Sequence, residues 1–167
     1  MDAAVLAAIK SLLDGQRVLT AAVLVDGVPA AALLPFVASD DYTAVFIQAS
    51  GLARHAQGLR PGATIGLVVH EPATPDRDAM QLPRLTVQAT VEVVPRDSDA
   101  FDAAATRLIE RFPAAATTLG LPDFNLYALT LGRGRYVEGF ARAFNVGPDT
   151  FHALTPGPAT TRPATAP

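Results

Sequence analysis

The segment "ASGLARHAQGL" (residues 49–59) gathers side chains able to grip an anion: Ser50, Arg54 and His55, with Gln57 after them. A strand-like run, Ala44 to Ile47, leads into it. Ser50 suits the N-cap of a helix over about 50–60, with its first backbone N–H groups free near the positive end of the helix dipole. Gly51 carries no Cβ, so an anion can approach the backbone there. Arg54 offers a permanently charged, forked donor, which suits a phosphate. On the helical wheel Leu52, Ala56 and Leu59 share a face, His55 borders it, and Arg54 points away, toward solvent or a second subunit. The same residues also fit a plainer reading: a capping serine, a solvated arginine and a half-buried structural histidine. Arg84, just after Pro83, opens a strand and faces either solvent or the same anion.

Other chemistries are thinly represented. There is no cysteine, so disulfides and thiolate sites are excluded. The histidines, His55, His70 and His152, have no metal-binding spacing. No acid–base pair stands out as catalytic. Half of the 167 residues are hydrophobic and 17% are charged, a globular composition. The net charge of −3 supplies no overall drive toward nucleic acid or anionic lipid. No apolar run reaches the ~20 residues of a membrane span. The start of the chain reads as a helix, not a signal peptide, so a cytoplasmic protein is expected.

The elements that must position these residues follow from periodicity. Val5, Ile9, Leu12 and Leu13 predict a helix over 2–14, capped by Asp2. Asp26-Gly27 between two β-rich runs predicts a tight hairpin. Pro29 and Pro35 predict that the second run lies at an edge, a bulge or a barrel rim. A third strand is expected from Tyr42 to Gln48, and a fourth over 63–69. A polar, proline-bearing loop follows. "RLTVQATVEVV" alternates cleanly, Leu85, Val87, Ala89, Val91 and Val93 against Thr86, Gln88, Thr90 and Glu92. Residues 97–112 predict a helix capped by Asp97 or Ser98, and Ala114 to Leu119 a further turn or two. "NLYALTL" and "GRYVEGFARAF" predict two last strands joined at Gly132–Gly134. Residues 1–150 then make one domain and 151–167 a Pro/Thr/Ala-rich C-terminal tail. The fold class is mainly β with flanking helices, a largely antiparallel sheet or small barrel. Apolar residues on both faces of the first three strands exceed what one barrel interior can hold, which predicts a dimer.

Four stretches, "LLPFV" (33–37), "SGLARHAQGL" (50–59), "PRLTVQATVEVV" (83–94) and "RYVEGFARAF" (135–144), resemble in order the pyridoxamine-5′-phosphate-oxidase-like FMN-binding split barrels, and most of all their heme-utilisation (HugZ-like) branch. The resemblance covers about residues 17–147. It implies a split β-barrel that forms a homodimer with two cofactor clefts at the subunit interface. It puts Ser50, Arg54 and Arg84 near an FMN phosphate, with His55 and Gln57 alongside. Pro35 and Phe36 would lie beside the isoalloxazine ring or the dimer seam, and Phe140 and Arg142 would come from the terminal segment, from the partner chain in one arrangement. Ala56 and Gly58 replace a threonine and an asparagine usual in the family, removing two hydrogen-bonding groups worth about 1 kcal/mol each if buried. Glu138 and Ala141 stand where glycines are usual.

Three functions follow as expectations. The first is an FMN-dependent oxidoreductase acting on a small substrate, in which the flavin carries the chemistry; flavin and deazaflavin are not distinguished. The second is heme binding or heme degradation, with His152 as axial ligand. The third is a cofactor-free dimeric binding module. The substrate signature of true pyridoxamine-phosphate oxidases is missing near the C-terminus.

Overall fold

A computed structural model describes residues 1–155; the remainder of the expected tail, from 156 on, lies outside the described residues. β1 (Val18–Val25) and β2 (Val28–Ala38) form the hairpin that Asp26-Gly27 predicts, with positive φ at both turn residues, 53° and 77°. β3 (Ala44–Ser50), β4 (Thr64–His70), β5 (Arg84–Val93), β6 (Phe124–Gly139) and β7 (Arg142–Val146) complete one antiparallel sheet in the order β3-β2-β1-β4-β5-β6-β7. β3 also pairs with β6, from Ala44 opposite Thr130 to Ser50 opposite Phe124, so six strands close into a barrel and β7 hangs outside on β6. This is the expected split barrel.

The split lies between β2 and β3. They pair only at Phe36–Ala38, so β2 up to Pro35 has a partner on the β1 side alone. The two prolines, which cannot donate a ladder hydrogen bond, occupy this edge, as predicted.

Alternation builds the core. Leu19, Ala21, Val23 and Val25 of β1 and Leu85, Val87, Ala89 and Val91 of β5 point inward and are buried. Helix α1 (Ala3–Gly15) adds Val5, Ile9, Leu12 and Leu13 to the same core, and Asp2 caps it by accepting from Val5 N–H. Outside the barrel, α2 (Asp99–Arg111), capped by Ser98, and α3 (Ala115–Leu119) bury a second cluster against Val37 and Leu126. These helices cover the β3–β6 side. On the opposite side the outward positions of β1 and β2 are Val18, Thr20, Ala22 and Leu24 against Pro35, Leu33, Ala31 and Pro29, with no charge among them. Leu33 and Leu24 are about two-thirds exposed there, 66% and 63%.

Two boundaries differ from the expectation. Gly132–Gly134 is not a joint: β6 runs unbroken from Phe124 to Gly139. The glycines serve close approach, because a Cβ at Gly134 would stand 2.6 Å from Val87 Cα and 2.8 Å from its Cβ. The sheet register shifts here, between Val87 and Ala89 of β5. The turn comes later, at Phe140–Ala141, where Ala141 adopts φ 59° and β7 begins. The packed body also continues past 150. Helix α4 (Pro148–His152) carries Phe151, fully buried, and Leu154 beyond it is buried too.

Candidate functional site

The handover from β3 is not an anion-binding helix. Residues 54–58 form a single 3-10 turn with Ala53 before it and no side-chain cap. Ser50 is instead the last residue of β3. Its hydroxyl donates to the Asp123 carboxylate and accepts from Leu52 N–H at 3.2 Å. Gly51 N–H, expected to face a ligand, donates to the Asp123 carbonyl at 2.6 Å. The loop bearing Asp123 is itself held by Arg96, which donates to the carbonyls of Leu119, Leu121 and Phe124. With its serine and glycine already bonded and a carboxylate beside them, this corner is poorly suited to a phosphate. Asp123 lies far from Ser50 in sequence, and no local pattern announces it.

The turn does other work. It crosses the open end of the barrel and places Ala56 and Leu59 in the core. Arg54 and Gln57 point to solvent and line a cavity of about 480 Å³ with Asp26. His55 is half-buried, and its Nε2 is enclosed with no hydrogen-bond partner. Burial holds its pKa below the ordinary histidine value of 6.5, so the ring is neutral at pH 7. A histidine with a depressed folded-state pKa contributes stability that is present above 6.5 and lost as pH falls through the folded value. The melting temperature should therefore fall on acidification below pH 6.5, and His55→Gln should flatten that limb. Identical pH profiles for the two proteins would contradict this assignment.

Arg84 is not near Ser50. It pairs with Val137, whereas Ser50 pairs with Phe124, so the two residues sit at opposite ends of β6. Arg84 donates to the carbonyls of Leu82 (3.1 Å) and Met80 (3.4 Å), bracing the loop before its own strand. The cationic pocket expected from Ser50, Arg54 and Arg84 is thus not assembled within one chain. Phe36 is fully buried in the barrel core and lines no surface. Pro35 is half-buried on the outer face opposite Val18. Phe140, at the β6–β7 turn, is 80% exposed. Arg142 beside it donates to Glu138 at 2.6 Å.

A different group comes together around the lower half of β6. Arg133 and Arg135, two residues apart on one strand, are exposed and make no ion pair among the described residues. Arg133 and Gly134 line a cavity of about 560 Å³ with Asn145, Gly147, Asp149 and Thr150. The last two belong to α4, whose last residue is His152. His152 is exposed, while Phe151 and Leu154 anchor its helix. The signal for these arginines was present in "GRGR" (132–135), since alternate residues of a strand share a face. Reading the glycines as a joint hid it.

No model of a protein family matches the sequence. Among curated proteins the chain is 31% identical, over 124 residues, to heme oxygenase HutZ of Vibrio cholerae, covering 74% of this chain and 69% of that one. The crystal structure of V. cholerae HutZ, there described as a heme storage protein, superposes with a TM-score of 0.69 at 27% identity, covering 77% of this chain and 90% of that one. Campylobacter jejuni ChuZ shares the fold at 19% identity and TM-score 0.77, with 88% of this chain on 61% of that one. A Clostridium acetobutylicum protein of the pyridoxinephosphate oxidase family shares it at 16% and 0.66, with 90% of this chain on 99% of that one.

Proposed function

We propose heme as the ligand of this protein, which belongs to the HugZ-like branch of the pyridoxamine-5′-phosphate-oxidase-like split barrels. The observation that carries the reading is the placing of His152: an exposed imidazole at the end of a helix anchored in the core, whose Asp149 and Thr150 line a cavity with Arg133, an arginine in no ion pair among the described residues. A neutral imidazole is a common axial ligand of heme iron, and an arginine suits a heme propionate. Heme supplies the redox-active iron. His152 would hold the iron through a ring nitrogen, and Arg133 would supply positive charge to a propionate. HutZ, the relative described by its heme chemistry, supports the reading. The flavin alternative has less support, because Ser50 and Gly51 are bonded to Asp123. Hemin titration of the purified protein tests the proposal. A saturable, red-shifted Soret band at one heme per chain is the expected result; a spectrum equal to that of free hemin defeats it.

The ligand cleft in this reading lies between two copies. The uncharged β1–β2 face, left open by α2 and α3, is the surface that a second copy covers. No helix among the described residues is long and apolar enough to cross a membrane. Leu33→Glu sets a charge in the middle of this face without touching the core. Light scattering should then read a dimer for the parent and a monomer for the variant; a monomeric parent removes the interface.

A further inference from the structure

We propose that Arg133 and Arg135 form a carboxylate clamp that binds and orients the two propionates of a tetrapyrrole, an assignment that rests on the heme reading above. Four observations converge on it. Arg135 pairs with Thr86, Arg133 lies two residues before it at the register shift, and both line one cavity, where two carboxylates on one ring edge can meet them. Neither has an acidic partner among the described residues; Arg135 has only a long contact, 3.4 Å, to the Asn145 side-chain oxygen.

The outward neighbours are uncharged. Thr86 pairs with Arg135, which in turn pairs with Asn145, and Gln88 pairs with Gly66 on the same face. In a chain of net charge −3 this is a local basic site; Asp149 lines the cavity on the α4 side with Arg133 but forms no ion pair with it. Finally, the backbone is shaped for a close ligand. Gly66 and Gly134 floor a second cavity of about 450 Å³, lined further by Thr86, Val87, Arg133 and Arg135. It shares Arg133 and Gly134 with the cavity that borders α4. Arg133 thus stands between the cavity that borders α4 and an apolar shelf that continues, through Gly66 and Ala22, into the uncharged β1–β2 face. A flat ring system lying on that shelf has its carboxylates within reach of the arginines.

The test compares hemin with hemin dimethyl ester, whose propionates carry no charge, by Soret titration of the parent, Arg133→Ala, Arg135→Ala and the double variant. FMN and riboflavin, which differ by a phosphate, form a second arm followed by flavin fluorescence. Each single substitution should weaken hemin about tenfold, the loss expected for a charge-assisted hydrogen bond. The ester should bind parent and double variant alike, and FMN should show no preference for the parent. Equal binding of hemin and ester by the parent, with hemin affinity unchanged in the variants, overturns the clamp and leaves the heme reading standing. Absence of hemin binding in the parent overturns both. Tight FMN binding that is lost in the double variant, with no such loss for hemin, assigns the arginines to a phosphate and overturns the carboxylate assignment. Both side chains are exposed, so unchanged melting of the ligand-free variants checks that they fold.

Discussion

If heme is held as proposed, His152→Ala should lower hemin affinity by at least about 10- to 100-fold and remove the Soret shift of the bound form. Residues that merely support a metal ligand are worth about that much, so the ligand itself sets a lower bound. The variant should cost little stability. His152 is exposed, and α4 is fixed by Phe151 and Leu154, which the substitution leaves in place. Ligand-free melting should stay at the parent value, while the rise in melting temperature that hemin gives the parent should disappear. Addition of imidazole should restore part of the Soret band by supplying the missing nitrogen. A variant that keeps both the parent affinity and the parent band position shows that iron is held elsewhere, or not through histidine.

Gly58→Asn restores the residue usual in the family and should destabilise the protein by about 2–3 kcal/mol without conferring flavin binding. Gly58 lies where the 3-10 turn crosses β1. A Cβ there would stand 2.7 Å from Val23 Cβ and 2.9 Å from the Leu24 carbonyl oxygen. The obstruction is partly backbone of a paired strand, close to its hairpin turn, which gives little way, so the turn of residues 54–58 must lift. Lifting it exposes Ala56 and Leu59, which seal the open end of the barrel. For a domain of this size the melting temperature should fall by about 5–10 °C. The substitution also separates two explanations for the missing asparagine. A chain that had only lost a phosphate ligand would accept the residue back and gain affinity for FMN. One whose turn has settled against β1 loses stability and gains nothing. Melting within a degree or two of the parent, or FMN uptake by the variant, decides for the former.

Much of the architecture could be read from residues whose behaviour is local. Asp26-Gly27 announces its hairpin because few residue pairs accept positive φ twice in succession. Leu85 to Val91 announces its inner face because the side-chain period of a strand is two. Asp2 and Ser98 announce helix starts through their own oxygens. Pro29 and Pro35 placed β2 at an edge, since a missing N–H must face an unpaired side.

What failed depended on contacts distant in the chain. Ser50 reads as a helix cap until Asp123, brought up by β6 and braced by Arg96, takes its hydroxyl. Ser50 and Arg84 read as partners until the sheet register puts them at opposite ends of one strand. Gly132 and Gly134 read as a turn, although their missing Cβ atoms serve a close pass against β5. By itself the sequence determined which segments become strands and helices and which of their faces are apolar, because propensity, capping and period are properties of neighbouring residues. Only the tertiary structure decided which polar groups are left free, since a hydroxyl or guanidinium is available to a ligand only when no remote part of the chain has claimed it. That is why the proposed site lies at Arg133, Arg135 and His152 and not at the end of β3.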